Sequence, residues 1–181
     1  MRVRIPPGPP RKGHVEILKW PDPRLTAPNA PLDRLGQEEL DRIKEMSRLM
    51  ASHEGVGLAA PQVGWNVRLC LILYATPGDA EAWPLVLINP KVTLHGDRVP
   101  KREGCLSLPG VFAEVMRHTH ANVISDTPQG KIEFVCTGLS AWTIQHEMDH
   151  LEGKLFIDRL EPKDRAVVQP ILDAMRQSRE A

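Results

Sequence analysis

The chain has 181 residues, enough for one domain with a real core and short for two. Its 23 Lys and Arg balance 23 Asp and Glu, and no long run of one sign occurs, which argues against a protein held to nucleic acid or a membrane surface by bulk charge. The longest apolar runs, such as Leu69–Tyr74, are far too short to cross a bilayer.

In chain order, residues 1–14 read as a disordered, basic, Pro-rich tail and 15–181 as a single catalytic domain. Met1–Lys12 has no apolar centre, so it is not a secretory signal. It is Arg-rich and acid-free, as transit peptides are, but it lacks Ser and its prolines oppose an amphipathic helix. The expected compartment is the cytoplasm, with organellar targeting left open. Val15–Leu18 reads as a short strand, and the prolines from Pro21 to Pro31 then force an extended path. Leu40, Ile43, Met46 and Met50 recur at helical spacing over 37–53, with Gly55 as the stop signal. Residues 68–74, 85–89, 91–94, 111–116, 122–125 and 131–135 read as strands separated by Gly and Pro. A second helix is expected over Gly138–Leu151, closed by Gly153. A third follows Pro162, with Val167, Ile171, Leu172 and Met175 as its apolar positions. The pattern points to an α+β fold, with mainly antiparallel sheets around a central helix and further helices toward each end.

The three cysteines, Cys70, Cys105 and Cys136, are odd in number and irregularly spaced. That fits a reducing cytosol better than a disulfide framework. Cys70 and Cys136 sit in apolar runs and read as buried strand residues. Cys105 sits among Gly, Ser and Pro.

The central helix carries Gln145-His146-Glu147-Met148-Asp149-His150. Two His four apart stand about 40° apart around a helix axis, so both imidazoles can grip one ion. Glu147, next to the first His, is placed to be the general base for an attacking water. The bland alternative is a solvated helix that happens to carry His and acids. A catalytic site needs a third protein ligand. Six residues after His150, where long peptidase motifs carry another His, stands Phe156. Glu161 is the nearest later carboxylate. Upstream, Cys105 lies beside a glycine in Glu103-Gly104-Cys105-Leu106-Ser107, where a thiolate can approach an ion closely. One Cys and two His suit iron(II), zinc, nickel or cobalt.

Gly55-Val56-Gly57-Leu58-Ala59-Ala60-Pro61-Gln62 lacks the Lys-Ser/Thr of a phosphate loop. Its small residues permit close backbone approach to a ligand, or equally helix–strand packing. The Gln62 amide and the Leu106 N–H are candidate donors to an oxyanion.

Together, G-x-G-x-A-A-x-Q at Gly55–Gln62, E-G-C-L-S at Glu103–Ser107 and Q-H-E-x-D-H-L-x-G at Gln145–Gly153 closely resemble the three signature motifs of peptide deformylases. The motifs come in the family's order. The resemblance implies removal of the N-formyl group from the initiator N-formylmethionine of nascent polypeptides, with release of formate. It implies that Cys105, His146 and His150 bind one divalent metal, natively Fe2+, with Zn2+, Ni2+ or Co2+ as replacements. By the same likeness Glu147 handles the proton, and Gln62 and the Leu106 N–H hold the oxyanion. Backbone groups near Val56, Gly57 and Gly104 would bind the extended peptide by strand addition. Leu139, Trp142 and Thr143 would line the methionine pocket, with Trp142 bulkier than the Ile expected there. Phe112 stands where many bacterial members carry Arg. Arg117 is expected to pair with Asp149 or Glu103. The implied partners are formylated nascent chains, with the ribosome near its exit tunnel as a further candidate, and neither membrane nor specific nucleic acid. A zinc endopeptidase and a structural metal module are the competing readings.

Overall fold

The helical spacing around Ile43 produces α1 (Gln37–Ser52), which buries Ile43, Met46 and Met50. Glu39, in the first turn, accepts the Gly36 N–H at 2.8 Å, which satisfies one of the free donors at the helix start. The stop comes earlier than expected. Glu54, not Gly55, takes the left-handed conformation, at φ 53°, and the Gly55 N–H closes onto the Met50 carbonyl oxygen at 2.9 Å. The structure, a computed structural model, describes residues 15–74 and 82–180, and the proposed tail lies outside them.

Five strands form one antiparallel sheet in sequence order: β1 (Gly57–Ala59), β2 (Leu69–Tyr74), β3 (Trp83–Cys105), β4 (Leu108–Thr127) and β5 (Gly130–Thr137). Segments expected as separate strands are joined. Residues 85–89 and 91–94 are both β3, with only a register shift between Ile88 and Lys91, where Asn89 sits at φ 50°. Likewise 111–116 and 122–125 are both β4. The Val15–Leu18 strand is not formed, since no ladder runs along it. Leu18 makes a lone N–H bond to the Gln62 carbonyl oxygen at 2.7 Å.

β2 is apolar throughout because both its faces are covered. Leu69 and Leu71 pack with α1, while Cys70 and Ile72 face the other way. On that side lies α2 (Gly138–Leu151), whose Ala141, Ile144 and Leu151 pack against Ala121, Val123 and Cys136 of the sheet. Gly153 follows at φ 68°, so the expected stop holds. α3 (Pro162–Glu180) covers a third cluster built on Leu108, Val111, Val115 and Phe156. Its buried positions are Val168 and Leu172, whereas Val167 is 76% exposed and Ile171 42%. The expected stripe named both Val167 and Ile171, but the face seated on β4 is rotated toward Val168. The α+β architecture packs α2 against β1, β2, β4 and β5.

Candidate metal centre and active site

α2 is buried on most sides, and it carries its polar residues because each meets a fixed partner. Gln145 ties the helix to β4. Its Oε1 accepts the His118 N–H at 2.9 Å, and its Nε2 donates to the carbonyl oxygens of His118 at 2.9 Å and Ala141 at 2.7 Å. At the other end, Asn29 Nδ2 donates to the carbonyl oxygens of His150 at 3.0 Å and Leu151 at 3.2 Å. Arg68 also reaches Leu151 O at 3.3 Å, which puts a cation at the helix C-terminus.

So held, His146 and His150 face the end of β3. One donor atom each from Cys105, His146 and His150 lie within 4.8 Å of one another. Cys105 Sγ is 3.3 Å from His150 Nε2, close to the ~3.5 Å that separates donors around one tetrahedral ion. His146 donates through Nδ1 to Glu103 Oε2 at 2.8 Å, so its Nε2 is the nitrogen left for an ion. Glu103 is held in turn by Arg117, at 2.6 and 3.0 Å, and Arg117 also reaches Asp149 at 2.8 Å. Arg117 thus pairs with both expected acids. Arg159 adds a second guanidinium on Asp149. Glu161 is exposed and lies outside the donor group, in which Cys105 is the third candidate donor.

The electrostatics fit a cation. Burial pushes the His146 imidazolium toward losing its proton, but bonds to Cys105 and Glu103 outweigh that and hold its pKa well above the usual range. The site therefore draws positive charge to that point. His150 moves the opposite way: burial, then repulsion from His146 and Arg117, keeps it neutral, the form that ligates metal. His150 Nδ1 and Glu147 Oε2 are buried and have no hydrogen-bond partner among the described residues. Glu147 is only 2% exposed. Its pKa is raised to about 7, mainly by burial and further by Glu103 and Asp149, against the lowering effect of His146. A carboxyl group poised there can take a proton and return it near neutral pH.

Beside these three donors lies a cleft of about 650 Å³. Val56, Gly57, Gln62, Gly104, Leu106, Leu139, Trp142, Thr143, Cys105, His146 and Glu147 all line it, while His150 sits buried outside its lining. Gln62 is oriented by the Ala59 N–H, which donates to its Oε1 at 2.8 Å. Its Nε2 consequently faces Ser107 Oγ at 3.2 Å and Cys105 Sγ at 3.4 Å. Gly57 has a role that the close-approach reading did not name. A Cβ there would stand 2.7 Å from Thr143 Cγ2 and 2.9 Å from Glu147 Cδ, so bare backbone is what lets β1 lie against Glu147. At Gly104 the missing side chain leaves room for the Phe112 ring, 2.5 Å from the position of a Cβ. Trp142 lies in the cleft wall with Lys101 Nζ 3.6 Å from its ring centroid.

Three contributors escaped sequence reading. The Glu103–His146 bond had a faint signal, since Glu103 and Cys105 share a face of β3. Asn29 and Lys19 had none: Lys19 Nζ donates to the Leu106 carbonyl oxygen at 2.6 Å, 87 positions along the chain.

Fold and site define a metal-dependent amide hydrolase, with a candidate Cys-His-His donor set, a buried carboxyl beside it and an adjoining cleft. Residues 14–166 match the family model for polypeptide deformylase. The peptide deformylase of Chlorobaculum parvum is 38% identical over 167 residues, which cover 91% of this chain and 89% of that one. "Peptide deformylase 1B, chloroplastic/mitochondrial" of Arabidopsis thaliana is 37% identical over 92% of this chain and 59% of that protein. The crystal structure of a peptide deformylase from Synechococcus elongatus, in complex with actinonin, superposes with a TM-score of 0.82 at 38% identity, covering 97% and 95% of the two chains. The chain belongs to the polypeptide deformylase family, metal-dependent hydrolases that remove the N-formyl group from nascent polypeptides.

Proposed function

We propose that Cys105, His146 and His150 hold one divalent ion, natively Fe2+, and that Glu147, Gln62 and the Leu106 N–H carry the chemistry of deformylation on N-formylmethionyl chains. The observation that carries this reading is the buried Glu147 carboxyl beside the three converging donor atoms. When bound, the ion supplies Lewis-acid polarisation and makes water acidic enough to attack at neutral pH. Glu147 takes the proton of the attacking water and delivers it to the leaving amine. Burial and the neighbouring carboxylates Glu103 and Asp149 raise its proton affinity, which favours its taking the proton. Gln62 Nε2, now 3.4 Å from Cys105 Sγ, and the Leu106 N–H donate to the oxygen as charge develops on it. Glu103 holds the His146 tautomer, and Arg117 neutralises the carboxylates behind it.

The peptide lies extended along Val56, Gly57 and Gly104 and pairs by backbone bonds. Leu139, Trp142 and Thr143 wall the methionine pocket. A formyl carbonyl carries only hydrogen on its carbon, so a site closed tightly around that carbon would admit it and reject acetyl by clash. We assign the enzyme to the compartment of translation, the cytosol of a bacterium, with nascent chains near the ribosomal exit as substrates. Among the described residues, no helix is long and apolar enough to cross a membrane. Formate release from formyl-Met-Ala, measured with bound metal, tests the assignment. Glu147→Gln should keep the ion and lose turnover by about 10²–10⁴-fold. Lost metal or unchanged turnover in that variant refutes the role given to Glu147.

A further inference from the structure

The two oxyanion donors come from segments with no covalent reason to stay in register. Gln62 ends the glycine segment, and Leu106 lies in the turn between β3 and β4. The stretch Leu18-Lys19-Trp20 touches both. The Leu18 N–H donates to the Gln62 carbonyl oxygen at 2.7 Å, and the Trp20 N–H donates to the Ser107 carbonyl oxygen at 2.9 Å. Between them, Lys19 Nζ donates to the Leu106 carbonyl oxygen at 2.6 Å. The stretch is itself anchored. Ile17 is buried in the cluster under α1, Leu18 and Trp20 pack on the cluster under α3, and the Arg176 guanidinium lies 5.3 Å from the Trp20 ring centroid. Lys19 also lines the cleft, within electrostatic reach of Cys105.

We propose that Leu18–Trp20 is a strap that fixes the two oxyanion donors relative to each other, with Lys19 as a positioning residue acting through Leu106. The inference rests on Gln62 and the Leu106 N–H being those donors. The strap holds the Leu106 carbonyl through a side chain, so this contact can be removed without altering backbone. Lys19 is exposed, and its ammonium makes the contact to Leu106. Its loss should loosen the donor rather than abolish it, which is a transition-state effect and not a binding effect.

The test is steady-state kinetics on the metal-loaded full-length enzyme with formyl-Met-Ala, for Lys19→Met, Lys19→Arg and Gln62→Leu, with metal content and melting curves recorded. Removing an oxyanion donor outright costs about 10²–10³-fold in kcat, so misaligning one should cost about ten-fold. The expected result is a kcat about ten-fold lower in Lys19→Met with KM, metal and melting unchanged, and most of the loss restored in Lys19→Arg, which keeps a charged donor. An unchanged kcat in Lys19→Met overturns the strap, as does a loss confined to KM, which would make Lys19 a substrate contact. Gln62→Leu separates the two ideas. If it loses kcat while Lys19→Met does not, the strap alone fails. If it keeps full kcat, the oxyanion assignment fails, and the strap with it.

Discussion

Gly57→Ala tests whether β1 holds the catalytic carboxyl in place. A Cβ at that position would stand 2.7 Å from Thr143 Cγ2 and 2.9 Å from Glu147 Cδ, and closer still to Glu147 Oε1. Carbon atoms settle at about 3.5–4.0 Å, so something must retreat by about 1 Å. Thr143 and Glu147 are both buried, and α2 is tied to β4 through Gln145, so the displacement falls on Glu147 itself. A displacement of about 1 Å in a reacting group costs about 100-fold. The crowding costs a further ~1–3 kcal/mol of stability, which lowers the melting temperature by about 2–10 °C in a domain of this size. The assay is formate release from formyl-Met-Ala, alongside metal analysis and thermal melting. The expected result is a kcat about 100-fold lower with the ion retained, since the nearest neighbours of a Cβ at Gly57 belong to Glu147 and Thr143, neither a proposed ligand. A kcat within about two-fold of the parent refutes the claim that bare backbone at Gly57 positions Glu147.

Arg117→Met strips the shared cation from Glu103 and Asp149, both nearly fully buried, and should cost about 3–5 kcal/mol, read as a lower denaturant midpoint. A midpoint shift equivalent to less than about 1 kcal/mol would refute the stabilising role given to this shared cation. The acid limb of stability follows from Glu103. Burial raises its pKa, but Arg117 and His146 outweigh that, and it lies below the ordinary 4.5 in the folded state. A carboxyl depressed on folding stabilises above its unfolded pKa and loses that contribution as pH falls through the folded value. In the metal-free protein the melting gap between parent and Glu103→Gln should thus be full above pH 4.5 and close below it. A gap that widens toward acid contradicts the sign. Cys105→Ser should lose the ion while the chain stays folded, because Cys105 lies at the edge of the cleft rather than deep in the core. Stoichiometric metal in that variant would remove the third ligand.

The site was legible where chemistry forces residue types into fixed spacings. His146 and His150 are one helix turn apart with Glu147 between them, and helical geometry alone puts the two imidazoles together. Cys105 and Gln62 were legible through glycine-rich surroundings and family motifs, and the cleft gathers both beside Glu147. What the sequence hid was contact at long separation. Nothing local in Lys19 or Asn29 marks a bond to Leu106 or to the end of α2. Nor does a glycine announce which neighbour needs its missing side chain. At Gly57 both the ligand and the packing reading were open, and the helix proves to be the tighter neighbour. In the fold, the helices were marked by their periodicity, but Asn89-Pro90 looked like a strand break and is only a shift of register within β3. On α3, Leu172 and Met175 lie on the packed face as expected, whereas Val167 and Ile171 do not, because Val167 and Val168 are equally apolar and only packing chooses between them.

The central claim is that Cys105, His146 and His150 hold the ion that deformylation needs. Its most direct test is formate released from formyl-Met-Ala, measured against bound metal in protein purified without oxygen. The account expects one ion per chain, formate release proportional to that ion, and loss of both on chelation. Formate release undiminished in metal-free protein, or a full complement of metal with no formate released, would contradict it.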